Sequence, residues 1–208
     1  MTLGILLVQP QTKRFMNALL ETLHSRQSVP ANQLTDPAPN EEQLNQILQC
    51  AITAPDHGKL RPWRFIVIRD EARHALADVF VKAAKIREPD ISEQKLERLK
   101  EKPLRSPLIV VIVTTLTKDH PKAPEIEQTL SAGAATQLMQ LGATALGFGS
   151  VWLSGANAYD ETVKQALGIE TKDQITGFLY LGTPPATPGP RKRPELSDHV
   201  SHWSAPVS

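Results

Sequence analysis

Four ionisable side chains come just before a predicted strand. The stretch from residue 53 to residue 70 reads TAPDHGKLRPWRFIVIRD, with Asp56, His57, Lys59 and Arg61 in its first half. Pro55 ends the preceding helix, and the apolar run at 65–68 predicts a buried strand. Loops that a rigid scaffold holds in place often carry function. The loop that carries these four side chains is therefore a candidate functional site.

The motifs of several other chemistries are missing. The sequence contains no P-loop, and GFGSVW at 147–152 has two glycines of G-x-G-x-x-G but lacks the third. Ser154 does not lie within G-x-S-x-G, which argues against an α/β-hydrolase. His199 and His202 could form a metal pair, but no third ligand is evident and mobile tail histidines are the favoured interpretation. We therefore predict no metal site and no Rossmann dinucleotide site.

Composition excludes two further classes of protein. The 208 residues include 23 basic and 22 acidic side chains, a net charge of +1, so no field would attract nucleic acid. No apolar run approaches the roughly 20 residues that cross a membrane. The single cysteine, Cys50, cannot form an internal disulfide and is read as a small core residue. A reducing cytoplasm fits this cysteine usage.

The first half of the chain predicts helices on both sides of a strand. Apolar residues at helical spacing predict a helix from Met16 to about residue 25. Asn40 and Gln43 form a capping box for a second helix that Pro55 ends. Residues 63–69 form the strand, and Asp70 is expected to cap a third helix. The charge-rich segment 87–107 is read as a solvated helix or a lid.

The second half predicts three more strands. The β-branched run at 108–116 is typical of a central strand buried on both faces. Residues 123–147 predict a long helix, rich in small residues and ended by Gly147. Strands follow at 149–155 and 174–182, on either side of a helix that Asp160 caps. This order indicates a single domain that mixes helices and strands.

The two ends of the chain differ from this domain. Residues 1–15 are read as an N-terminal extension, so the predicted domain covers 16–208. From about residue 183 the tail carries five prolines between Pro184 and Pro194, and it is expected to be extended. Because such a tail has little core of its own, we expect it to lie on another surface.

Several segments, taken in order, resemble the FMN-dependent nitroreductase family, and in particular a subgroup of short bacterial members. They are HSRQS, APDHGKLRPWRFIVI, ATALGFGSVWLSGA, GFLYLGTP and the basic tail PRKRP, and the match covers about residues 16–184. The resemblance implies an α+β fold with a mixed β-sheet flanked by helices. It also implies an intertwined homodimer with two FMN sites at the interface, and a tail that embraces the partner subunit.

The resemblance also implies an activity. The protein would move hydride from NADH or NADPH through N5 of FMN to a small-molecule acceptor such as a nitroaromatic or a quinone, by a ping-pong mechanism. The cofactor would carry the chemistry, so no side chain is predicted to be catalytic. Two alternatives remain: an FMN-binding scaffold or sensor without turnover, and a cofactor-free binding module.

The family pattern assigns the FMN phosphate to the segment after the first helix and to the tail. Arg26 could pair with phosphate through its planar guanidinium, and Ser28 could donate a hydroxyl hydrogen bond. Gln27 stands where the family more often has arginine. Arg191 and Arg193 share the family's alternating basic pattern. The alternatives are a cation favoured by the helix C-terminus for Arg26 and a solvated basic tail for the other two arginines.

The pattern assigns the flavin ring to two further segments. Thr53 and His57 would reach the flavin from across the dimer, although His57 could instead satisfy loop carbonyls. Trp152, Leu153 and Ser154 would line the ring, with main-chain groups as hydrogen-bonding partners. Trp152 could equally be core.

Three further assignments follow. Leu153 replaces an arginine of the subgroup. Arg61 replaces its glutamine and is assigned no role. A weak nicotinamide nucleotide contact is assigned to the stretch GATALG, for which helix packing is the alternative; its residues are Gly142, Ala143, Thr144, Ala145, Leu146 and Gly147.

Overall fold

The structure is a computed structural model that describes residues 10–186 and 192–205. Its six helices are α1 Pro10–Ser25, α2 Glu41–Ala51, α3 Glu71–Arg87, α4 Glu93–Glu101, α5 Glu125–Ala145 and α6 Glu161–Ala166. Its four strands are β1 Trp63–Arg69, β2 Leu108–Thr114, β3 Gly149–Leu153 and β4 Gln174–Gly182. Within these described ranges, no helix combines the length and the apolar character needed to cross a lipid bilayer.

The four strands form one sheet in the order β1-β2-β4-β3, so β1 and β3 are its edges. The expected α+β class with flanking helices is confirmed. In detail, all three strand pairs are antiparallel, and the parallel component of the expected mixed sheet is an isolated bridge between Ser28 and Ser150. A pair of helices explains the direction of β2. Because α3 and α4 take the chain out and back, β2 starts where β1 ends, with Leu108 opposite Arg69.

Strand β2 is the centre of the core. Every one of its residues is buried, which confirms the prediction of a strand covered on both faces. Ile109, Val111 and Val113 pack with residues of α3 and α6, whereas Leu108, Val110 and Ile112 pack with residues of α2 and α5. Alternate side chains of a strand point to opposite faces, so one apolar run supplies both layers.

Most helix ends agree with the sequence predictions. Asn40 and Gln43 form both hydrogen bonds of a capping box, and the Asp160 carboxylate accepts from two main-chain amides at the start of α6. Gly147 has a φ of 83° just after α5, a conformation that glycine adopts without steric cost.

Two of these predictions need correction. Asp70 precedes α3, but with a φ of 49° its side chain makes no capping hydrogen bond. Helix α1 begins at Pro10 and not at Met16, because proline fits the first turn of a helix, where its missing N–H would have no partner. Residues 1–9 lie outside the described residues.

Candidate functional site

Strand β3 has an outer edge that is available for hydrogen bonding. The amide of Val29 donates to the Ser150 carbonyl at 3.0 Å, so the main-chain groups of Ser150 point away from β4. Because this direction alternates along an antiparallel strand, the N–H and C=O of Trp152 point the same way. In the described part of the chain, no main-chain group pairs with them. The strand therefore offers a donor and an acceptor to a ligand that lies along its edge.

The segment after α1 lies at the start of this edge. Ser28 bridges Ser150, which places Arg26, Gln27 and Ser28, all half-buried, beside β3. The tail also reaches this point, because Nη2 of Arg193 donates to the carbonyls of His24 at 3.2 Å and Arg26 at 2.5 Å. The structure thus brings together two segments that were assigned to one phosphate. Arg191 lies outside the described residues.

Trp152 projects from β3 on the face that α5 covers. Its indole Nε1 donates to the Thr176 carbonyl at 3.2 Å, and a β-carbon on Gly177 would lie 2.1 Å from the same nitrogen. The far end of the ring approaches α5 at Gly133. The residue is still 37% exposed, and it lines a cavity of about 480 Å³ together with Leu130 and other residues. Trp152 is therefore packed on one side only, which differs from simple core filling.

Leu153 and Ser154 line a different cavity on the opposite face of the sheet. This cavity, of about 280 Å³, lies between the end of β3, α3 and the segment after α4. Its other polar lining residues include Arg87, Lys102, Arg105, Asn157 and Tyr180. Burial raises the pKa of Tyr180 to about 12, against an opposing effect of Arg105. The phenol is therefore protonated at neutral pH and can donate a hydrogen bond.

Lys102 and Arg105 are the residues of this region that sequence reasoning missed. The segment 87–107 was predicted to be a solvated helix or a lid, and Lys102 and Arg105 near its end are exposed, but both also line the cavity. Burial lowers the pKa of Lys102, and the charges of Arg105 and Arg87 lower it further. The sequence feature that could have indicated them is the pair of cations three residues apart, just before the apolar run of strand β2.

An ion pair between the partly exposed Arg87 and the buried Asp160 holds the wall of the same cavity. Arg87 donates to the Asp160 carboxylate and, at 3.0 Å, to Oδ1 of Asn157. Burial opposes ionisation of Asp160, but hydrogen bonds from Arg87 and from the amides of Val163 and Thr162 hold its pKa below the usual range. The pair fixes α3 against the turn that follows β3.

Thr53 and His57 lie at the other edge of the sheet. They precede β1, which is separated from β3 by two strands, a distance of roughly 14 Å at the usual strand spacing. Nδ1 of His57 lies 2.7 Å from Oε2 of Glu127, and the Thr53 hydroxyl donates to the Cys50 carbonyl. A carboxylate, and not a loop carbonyl, is thus the partner of His57. One chain does not bring these two residues to Trp152.

The stretch at 142–147 ends α5 and contacts α2. A β-carbon on Gly142 would lie 3.1 Å from Sγ of Cys50, and Ala143 is fully buried. Helix packing accounts for these two residues. Ala145 and Gly147 are the exposed members of the stretch.

Sequence comparisons identify relatives over most of the chain. The model of the nitroreductase family matches residues 23–183. "Putative NAD(P)H nitroreductase YdjA" of Escherichia coli K12 is 41% identical over 165 residues, which are 79% of this chain and 87% of that protein. "Putative NAD(P)H nitroreductase" of Haemophilus influenzae is 40% identical over 150 residues, 72% of this chain and 80% of that protein.

Solved structures share the fold. A nitroreductase-like family protein from Bacillus cereus superposes with a TM-score of 0.77 at 22% identity, covering 90% of this chain and 96% of that one. A "putative nitroreductase in complex with FMN" from Desulfovibrio desulfuricans gives a TM-score of 0.66 at 24% identity over 90% of this chain and 98% of its own. With the family match across residues 23–183, these findings show that the chain belongs to the nitroreductase family.

Proposed function

We propose that the protein is an FMN-dependent NAD(P)H oxidoreductase that reduces nitroaromatics, quinones or related small acceptors. The observation that carries the proposal is the open edge of β3, with Arg26, Ser28 and Arg193 gathered at its start. The names of the relatives, and the FMN bound in the Desulfovibrio structure, support the same cofactor and donor. A cytoplasmic location fits the free thiol of Cys50.

The residues present fit FMN. Its phosphate needs cations and hydroxyl donors, which Arg26, Arg193 and Ser28 supply at one end of β3. The pyrimidine edge of the flavin needs both a hydrogen-bond donor and an acceptor, which the main chain of Trp152 offers further along the strand. Gln27 and Leu153 in place of arginines leave these main-chain contacts intact. When bound, FMN would supply the redox chemistry, which is hydride transfer through N5 between NAD(P)H and the acceptor.

The protein's own groups then bind and orient the two substrates. Donor and acceptor must each bring the reacting atom to roughly 3–3.5 Å from the same ring position, so they bind in turn. The residues at 142–147 remain a proposed contact for the nicotinamide nucleotide, through the exposed Ala145 and Gly147. His57 and Thr53 would border the ring from the partner subunit.

A homodimer completes this site. Leu19, Leu20 and Leu23 of α1 are 61%, 49% and 42% exposed, and Trp203 of the tail is 86% exposed. A second copy would cover these apolar side chains. A second copy would also have to supply Thr53 and His57 to β3, because within one chain these two residues and β3 lie at opposite edges of the sheet. Light scattering should give twice the 22.9 kDa of one chain, and a stable monomer would contradict the dimer.

Anaerobic reduction followed by steady-state kinetics tests the activity. The purified protein should be yellow, NADPH or NADH should bleach the flavin band, and a quinone or nitroaromatic should restore it. Initial rates varied in both substrates should give parallel double-reciprocal lines. Intersecting lines would contradict alternate binding in one pocket. Flavin that binds but is not reduced by either nucleotide would identify a scaffold or sensor instead.

A further inference from the structure

A second cationic region lies beside the end of β3. The cavity next to Ser154 continues into a neighbouring one of about 450 Å³ between α3 and α4, and both are lined by Arg87, Leu99, Lys102, Arg105 and Ala156. The outer cavity adds Lys95, Arg98 and the carboxylate of Glu88. We call the two together the α3–α4 groove. Its combined volume lies in the range of cavities that bind small ligands.

The groove carries positive charge that the described residues do not fully neutralise. Arg87 is paired with Asp160, and Lys95 is paired with Glu88 at 2.8 Å. Within the residues that the structure describes, Arg98, Lys102 and Arg105 have no carboxylate partner. Burial is the largest cause of the lowered pKa of Lys102, and repulsion from the charges of Arg105 and Arg87 lowers it further. An anion would relieve this repulsion.

The phosphate of FMN is not available to this groove. FMN carries one phosphate, and its proposed site is at Arg26 and Ser28 beside Ser150, at the start of β3. The groove opens at Ser154, four residues further on, which is roughly 13 Å along a strand. A second anion-binding region at that distance therefore requires a second anionic molecule or group.

We propose that the α3–α4 groove binds an anionic group of the electron donor or acceptor, a phosphate or a carboxylate, while the reacting part of that molecule enters past Ser154. This rests on the proposed function, because it assigns a substrate to the same site. Arg98 and Arg105 supply planar guanidinium groups suited to phosphate and carboxylate, and Lys102 supplies a point charge. The phosphates of NAD(P)H and the carboxylate of an acidic acceptor are the two sources of such an anion.

Steady-state kinetics with charge-removing variants distinguishes the two sources. Arg98→Gln and Lys102→Gln each remove one groove cation, and Lys100→Gln removes an exposed cation of α4 outside it. We expect KM of the affected substrate to rise about tenfold or more in the groove variants, and to stay within about twofold in the control. If KM rises for both NADPH and NADH, the groove binds the pyrophosphate of the donor. If KM rises for NADPH alone, the groove binds the 2′-phosphate. If KM rises for a carboxylated quinone but not for its uncharged parent, the groove binds the carboxylate of the acceptor. KM values that match the control for all four substrates would overturn the proposal.

A binding measurement separates the groove from the proposed activity. Inorganic pyrophosphate, 2′,5′-ADP and benzoate should be titrated into the full chain by calorimetry, with FMN affinity measured in parallel. Binding of at least one probe that Arg98→Gln weakens and Lys100→Gln leaves unchanged supports the groove, even in a protein that shows no turnover. If no probe binds, or if Arg98→Gln and Lys102→Gln change FMN affinity alone, the groove does not hold a substrate anion.

Discussion

Nη2 of Arg193 lies 2.5 Å from the main-chain oxygen of Arg26, although the two residues are 167 positions apart in the sequence. The same guanidinium group reaches the carbonyl of His24. Carbonyls at the end of a helix lack intrahelical partners, and a basic side chain there satisfies them and complements the helix dipole. Arg193 therefore fixes the path of the segment that carries Arg26 and Ser28.

Replacement of Arg193 should weaken FMN binding with little loss of stability. Arg193→Ala removes two charge-assisted hydrogen bonds to the end of α1 as well as a cation near the phosphate, and we expect at least about a tenfold fall in affinity. Flavin fluorescence titration measures it. Lys192→Ala, a neighbouring exposed tail residue, is the matched control. Equal affinity in the two variants would assign Arg193 to the solvated tail.

Replacement of Arg26 tests the phosphate contact itself. A charge-assisted contact to phosphate contributes roughly 1.5–3 kcal/mol, so Arg26→Ala should lower FMN affinity about ten- to more than a hundredfold. Arg26→Lys keeps the charge without the planar guanidinium group, so its FMN affinity should lie between those of the unmodified protein and Arg26→Ala. If Arg26→Ala binds FMN as tightly as the unmodified protein, Arg26 is a helix-end cation only.

The contact between Trp152 and Gly177 predicts opposite effects at two glycines. Gly177→Ala would place a methyl group 2.1 Å from the indole nitrogen and 2.8 Å from the Leu153 oxygen, forcing the end of β3 to move. We expect a loss of about 1–3 kcal/mol and weaker FMN binding. Gly133→Ala meets the same indole at an ordinary 3.7 Å within α5 and should be neutral or stabilising by up to about 1 kcal/mol. Chemical denaturation measures the stability of the two variants. Equal stabilities would show that the Trp152 indole does not pack against Gly177 of β4.

Asp160 should make stability depend on pH in the acid range. The pKa of Asp160 in the folded protein lies below its ordinary value of 3.8. Its contribution to the free energy of unfolding is therefore fully present above the ordinary pKa and is lost as pH falls through the folded pKa. Asp160→Asn removes the charge opposite Arg87 and should cost about 1–3 kcal/mol at pH 7. The difference in the free energy of unfolding between Asp160→Asn and the unmodified protein should become smaller below about pH 4. Asp78→Asn, at an exposed carboxylate of α3, is the control in denaturant titrations across pH. A difference that stays constant down to pH 2 would contradict the role of the charge.

Local patterns in the sequence predict most of the elements. β1 and β4 have the predicted bounds because their apolar runs are flanked by turn residues. β2 is an uninterrupted apolar run, which is typical of a strand that is covered on both faces. The capping box of Asn40 and Gln43 is likewise local. Its three-residue spacing is visible in the sequence itself.

The remainder depends on contacts between distant residues. His57 pairs with Glu127 across 70 positions, and Arg87 with Asp160 across 73, so neither pair is visible from spacing. The cations of the α3–α4 groove lie in a segment whose composition is typical of a solvated helix. Asp70 shows the limit of local rules too, because its φ of 49° places the carboxylate away from the amides that it was expected to cap.

The open edge of β3 has a consequence for the protein before it acquires its ligand. Exposed strand edges can pair with strands of other molecules, and a short strand limits that hazard without removing it. β3 is five residues long, and its last two residues, Trp152 and Leu153, are both partly exposed and apolar. Newly made chains that lack FMN would thus present a site for intermolecular β-pairing. Flavin supply during synthesis should then determine how much of the protein escapes aggregation.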